Sequence, residues 1–151
     1  MIETRYSKIL VAIDASKESM DAASYAIGLA KKDRACIIAL TAMKLPSLYG
    51  WSPAESPDTW QKKYAKDRKK WFEEIKKLAK RNNVRIQTEI VESTMSAQET
   101  IVKYAEEHNV DVIVVGTRGM SGFAKQLLGG TALGVVTYAH CTVIVVKQPL
   151  R

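Results

Sequence analysis

Two cysteines and two histidines among 151 residues leave little material for a disulfide framework or a metal centre. Cys36 and Cys141 each open an apolar, strand-like run and stand in no spaced pattern, so both read as reduced core residues. His140 adjoins Cys141, but no second pair at ligand spacing accompanies them. Long hydrophobic runs are missing too: none approaches the roughly 20 residues that a membrane-crossing helix needs. The opening MIETRYSKILVAID lacks the layout of a signal peptide, and a cytoplasmic location is the expectation. Of four prolines, three fall in KLPSLYGWSPAESPD, residues 44–58, which marks the only long loop and carries Tyr49 and Trp51.

Several catalytic and phosphate-binding signatures are absent as well. There is no G-x-x-x-x-G-K-[ST], and glycines 116, 119 and 122 are not spaced as G-x-G-x-x-G. Neither S-G-G-x-D-S nor H-I-G-H occurs, and no Ser-His-Asp or Cys-His arrangement is readable. His108 and His140 lie in or at the ends of expected helices, remote in sequence from any candidate site. The expectation is therefore a binding protein and not an enzyme.

What is present is an ordinary globular composition, 46% hydrophobic and 26% charged, in a length that suits one domain over residues 1–151. The formal charge of +7 is concentrated in residues 62–81, interleaved with Asp67, Glu73 and Glu74. Without a nucleic-acid motif that segment reads as a solvated helix face, which disfavours nucleic acid as a partner.

Short apolar runs alternate with longer amphipathic stretches. Strands are expected at 8–14 (KILVAID), 35–43, 84–91, 111–116 and 142–147. Between the first two, Ser16 can cap a helix that turns Met20, Ala23, Ile27 and Ala30 inward. From Asp58 a second helix carries Trp60, Tyr64, Trp71, Ile75 and Leu78 on one stripe, read as core packing. Ser96 and Glu99 form a capping box before Ile101, Val102 and Ala105, and a last helix is expected over ALGVVTYAH. The third run alternates as an edge strand should. The order βαβαβαβαβ argues for an α/β, doubly wound five-stranded parallel sheet with helices on both faces. Ligands of such sheets sit outside the carboxyl ends of the strands, where the winding reverses. If strands one and four are neighbours there, Asp14 faces the glycine-rich segment 116–132 across one crevice.

That segment, GTRGMSGFAKQLLGGTA, holds five glycines. Unpaired amides at a helix N-terminus attract anions, and Gly129, Gly130 and Thr131 stand just before the last helical stretch. Gly116 and Gly119 can supply further amides, with Arg118 and Lys125 adding positive charge. Any one of these glycines alone reads as a tight turn; the spaced set reads as a phosphate cradle.

Gly116, Gly119 and Gly129 match in type and spacing the G-x2-G-x9-G-[S/T] motif of the nucleotide-binding universal stress proteins. The resemblance extends along the chain, from KILVAIDASKESMDAASYAIGLA through GTRGMSG to HCTVIVVK. It implies the adenine nucleotide alpha hydrolase-like fold, a homodimer formed through strand 142–147, and ATP, with magnesium, as ligand. Carried over by position, it sets adenine and ribose against Ala12, Ile13, Asp14 and Ala42. It sets the phosphates along Gly116, Arg118, Gly119, Gly129 and Gly130, with Val115 lining the pocket. Asp14 suits a ribose hydroxyl or an adenine amino group, and equally suits capping the next helix. Two departures stand out. Gly130 occupies the place of the motif's hydroxyl residue, with Thr131 one position later, and VESTMSAQE lacks the glycine and proline often found before the third helix. The implied function is an ATP-dependent dimeric switch in stress response, read by an unnamed protein partner. The alternatives are a scaffold without nucleotide and a sensor of AMP or cyclic AMP.

Overall fold

A computed structural model describes residues 5–14, 16–45, 57–117 and 128–147, with only the backbone for 57–65. Nine elements follow one another: β1 (Lys8–Ala12), α1 (Lys17–Asp33), β2 (Cys36–Lys44), α2 (Pro57–Arg81), β3 (Ile86–Ser93), α3 (Ala97–Glu107), β4 (Val112–Gly116), α4 (Gly130–Tyr138) and β5 (Thr142–Val146). The strands form one parallel sheet in the order β3-β2-β1-β4-β5. β1 and β4 are neighbours at the winding reversal, with Val11 beside Val114, and β3 and β5 are the edges.

Because successive strand residues point to opposite faces, the two faces bury different sets. Ile9, Val11, Ile37, Ala39, Val112 and Val114 pack beneath α1 and α2. Leu10, Ile38, Leu40, Ile113 and Val115 pack beneath α3 and α4. Full burial of such a side chain contributes about 1.5–3 kcal/mol, so the three central strands anchor the molecule.

Helix ends follow their sequence signals. Ser16 caps α1 by accepting from the Ser19 amide, and the Ser96–Glu99 capping box of α3 closes in both directions. The inner face of α1 is mostly alanine: Ala22, Ala23, Ala26 and Ala30 are buried with Ile27, while Met20 is only partly covered. On α2 the buried line runs through Phe72, Ile75 and Ala79, with Arg68 buried beside the Met43 sulfur. The expected stripe is thus off centre, since Trp71 and Leu78 flank this line half-buried. The side chains of Trp60 and Tyr64 lie outside the described set.

Several boundaries differ from the sequence expectation by one or two residues. β1 stops at Ala12, because Ile13 turns out of the ladder while its amide still donates to Leu40 O at 2.8 Å. β3 starts two residues late, behind Asn83 in the left-handed region and a Val84 amide bound to Ala79 O. α4 starts at Gly130 and not at Ala132, which places Gly130 and Thr131 inside its first turn. The two cysteines are free, at the start of β2 and just before β5. Three strand spacings, about 14 Å, separate those positions, twice the reach of a disulfide. Burial pushes the Cys141 thiol up, with Asp111 adding to the shift against backbone hydrogen bonds that lower it, so this thiol is a poor nucleophile. No helix among the described residues is long and apolar enough to cross a membrane.

Candidate functional site

At the carboxyl ends of β1, β2 and β4 a pocket opens between α3 and the start of α4, enclosing about 530 Å³ including its mouth. Leu40, Ala42, Ala12, Ile13 and Val115 make an apolar floor, and Ala97 and Ile101 of α3 make one wall. Gly129, Thr131 and Ala132 line the opposite side, with Asp14, Ser19 and Gly116 between. Eight residues singled out in the sequence therefore meet here: Ala12, Ile13, Asp14, Ala42, Val115, Gly116, Gly129 and Thr131. Gly130 stands beside them as the first residue of α4 but does not line the cavity. Arg118, Gly119, Gly122 and Lys125 lie outside the described residues, as does loop 46–56 with Tyr49 and Trp51.

Asp14 is exposed at the rim, held by a short network. Its Oδ1 accepts from the Ser16 amide at 3.0 Å and from the Ser16 hydroxyl. Ser16 Oγ in turn accepts from the Ser19 amide at 3.1 Å, and Ser19 Oγ donates to Ser16 O at 2.9 Å while accepting from the Asp14 amide. Asp14 thus acts on the α1 cap through Ser16. Its other oxygen has no partner among the described residues and remains an acceptor for a ligand hydroxyl or amine.

The positive end of the site is α4. Gly129, its N-cap, brings no side-chain bond, whereas α1 and α3 are closed by Ser16 and Ser96. The first intrahelical bond runs from the Leu133 amide to Gly129 O, leaving the amides of Gly130, Thr131 and Ala132 without an acceptor inside the helix. The Gly129 amide is different: it donates to Thr117 O at 2.7 Å, clamping α4 to the end of β4. That bond removes Gly129 from the amides expected to face a phosphate. Gly116 also has a structural role. An added Cβ would stand 2.8 Å from Glu18 O, because the first turn of α1 presses directly on this backbone.

The model of the universal stress protein family matches residues 5–147. The chain belongs to the universal stress protein family. It is 33% identical over 149 residues to universal stress protein MJ0531 of Methanocaldococcus jannaschii, covering 99% of this chain and 86% of that one. Identity to universal stress protein YxiE of Bacillus subtilis is 31%, over 94% and 99% of the two chains. Among solved structures, universal stress protein UspA of Lactobacillus plantarum superposes with a TM-score of 0.84 at 27% identity, over 95% and 99%. A universal stress protein in complex with cAMP gives 0.66 at 26% identity, over 95% and 98%. A family member from Arabidopsis thaliana with AMP bound shares the fold at a TM-score of 0.68 and 15% identity, over 95% and 92%. Adenine nucleotides are thus bound by structural relatives of this universal stress protein.

Ser19, Leu40, Ala97, Ile101 and Ala132 line the pocket without having been expected at a site, Ile101 having been read only as part of the third helix. Leu40 was within reach, since it shares the face of Ala42 two residues on. Ala97 follows a legible cap, but only the packing of α3 beside α4 brings it to the pocket. Both histidines are at the far, amino edge of the sheet. His108 caps α3 with its ring stacked on Tyr104 at 3.8 Å, and Lys8 Nζ donates to His108 O at 2.8 Å. His140 precedes β5, 3.7 Å from Glu106. Among the described residues no group of three or more His, Cys, Asp and Glu is arranged to hold a metal.

Proposed function

We propose that this universal stress protein binds ATP, with magnesium, in the pocket and works as a nucleotide-dependent homodimeric switch without catalysing a reaction. The observation that carries the reading is the uncapped start of α4, with three amides lacking intrahelical acceptors, opposite the open oxygen of Asp14. The apolar floor suits a purine, Asp14 suits the ribose, and the α4 amides with the helix dipole suit phosphate. Asp14 is the one carboxylate among the described pocket residues, so magnesium would be held chiefly by phosphate oxygens and water. A ligand that bridges Asp14 and α4 favours the arrangement in which β1 and α4 are joined, and so shifts a surface that a partner reads. Gly130, which lacks the motif's hydroxyl, favours a second reading in which AMP or cyclic AMP is the ligand. The cAMP-bound relative supports it.

Calorimetric titration of nucleotide-free protein with ATP and magnesium, AMP and cyclic AMP separates these readings. Micromolar or tighter ATP binding is expected. Preference for a smaller nucleotide supports the sensor reading, and no heat with any of the three at millimolar concentration leaves a dimeric scaffold.

The dimer is proposed to form through β5. This strand is a sheet edge of β-branched residues, and Leu133, Val136 and Tyr138 on the adjoining α4 are exposed. An unpaired apolar edge beside exposed apolar helix residues is satisfied by a second copy. Sedimentation equilibrium at micromolar protein is expected to give twice the chain mass; a monomer throughout would remove the dimer from the model of action.

A further inference from the structure

We propose that the basic corner where α1 and α2 end binds the phosphate backbone of double-stranded nucleic acid, independently of base sequence. α1 and α2 share one face of the sheet and both run back to its amino edge, opposite the pocket. α1 ends with Lys31, Lys32 and Arg34, α2 with Lys80 and Arg81, and Arg85 directly precedes β3. The backbone ties these segments together. Ile37 N, just after the end of α1, donates to Arg85 O at 2.9 Å, and α1 and α2 pack on the same buried cluster. The chain as read residue by residue shows the α2 charge alone; the fold adds the end of α1 and the start of β3 to it.

All six cations are exposed, and none has an ion-pair partner among the described residues. The one acid between them, Asp33, accepts from the Tyr6 amide at 2.9 Å. Arg34 adds an independent sign. It caps α1 in the left-handed region at φ 57°, a position that favours glycine or asparagine, and Asn83 and Asn109 have the same conformation behind α2 and α3. A long cation held in a disfavoured backbone conformation, with its side chain in solvent, points to use of the charge.

The surroundings select the partner. Among the described residues the exposed large apolar side chains are Tyr25, Ile90, Leu133, Val136 and Tyr138, and none belongs to the last turn of α1 or α2. Among the described residues this corner therefore has no wedge for a bilayer and no aromatic platform for unstacked bases. α3 on the opposite face holds three acidic side chains against one lysine, so the charge of the two helical layers differs in sign. A polyanion is steered to the α1–α2 corner and repelled from the α3 side. Six cations without carboxylate partners fit a regular array of phosphates.

The test is fluorescence anisotropy of a short labelled duplex of mixed sequence, titrated with the full chain. Affinity is expected to fall about a thousandfold between about 50 and 200 mM salt and to be indifferent to sequence. The triple variant Lys80→Glu, Arg81→Glu, Arg85→Glu is expected to bind at least about tenfold more weakly, with a salt slope shallower by about three. Arg34→Gly separates charge from folding, since it is expected to raise the melting temperature while weakening duplex binding. Unchanged duplex binding by these folded variants would overturn the proposal. So would stronger binding to phosphatidylserine vesicles than to duplex, or polyglutamate competing as well as nucleic acid.

Discussion

Gly116→Ala is expected to lower the stability of the protein by about 1–3 kcal/mol. For a chain of this length the melting temperature would fall by roughly 3–10 °C, measured by thermal denaturation followed by circular dichroism. The cause is steric. The added Cβ would meet the carbonyl oxygen of Glu18 at 2.8 Å and its carbon at 2.9 Å, backbone atoms in the first turn of a capped helix that cannot rotate aside. Relief requires α1 to lift from β4. Lifting it disturbs the Asp14–Ser16–Ser19 network as well, so nucleotide affinity should fall at temperatures where the variant is still folded. Gly28→Ala is the control. That position is exposed in the middle of α1 with nothing within 4 Å of an added Cβ, and alanine there should raise stability by about 0.5–1 kcal/mol. If Gly116→Ala melted with the parent protein, close packing of α1 on β4 would not be what requires this glycine.

Gly130→Ser is expected to tighten ATP binding about ten- to a hundredfold, the worth of a hydrogen bond of roughly 1.5–3 kcal/mol to a charged acceptor. Nothing lies within 4 Å of a Cβ built on Gly130, and the residue is exposed, so the serine enters without displacing any described neighbour. It stands at the first position of α4, next to amides with no intrahelical acceptor, where a hydroxyl joins the donors already aimed at an anion. Calorimetric titration of the variant beside the parent protein is the measurement. Because serine also suits a helix start better than glycine, the melting temperature without nucleotide should rise slightly, and the difference between the two ATP titrations is the decisive quantity. Equal affinities would mean that the phosphates do not reach the start of α4, and the pocket would then hold a ligand by its floor and Asp14 alone.

Much of the architecture was legible from local pattern. Four strands are short apolar runs and β3 an alternating one, each of α1 and α3 begins at a serine cap, and the regular alternation of strand and helix leaves a parallel sheet as the only economical arrangement. The start of α4 was not legible at Gly130, since glycine is a poor helix former and Gly129 offers no side-chain cap to mark the boundary. The glycines themselves divided in a way that no spacing reveals. Gly129 uses its amide to clamp the start of α4 to Thr117, Gly116 makes room for Glu18, and Gly134 in α4 lies where a Cβ would stand 2.6 Å from the Gln98 side chain.

By itself, then, the sequence determined the kinds of element, their order and the edge of the sheet where the pocket opens, because those follow from periodicity and caps within a few residues, and its glycine spacing pointed to the family. Only the tertiary structure decided which amides stay open, why Gly116 must lack a side chain, and which helices wall the pocket. It also joined the end of α1 to the end of α2 in one basic corner. These are contacts between segments far apart in the chain, and their outcome depends on how closely two packed elements approach, a quantity that local composition does not encode.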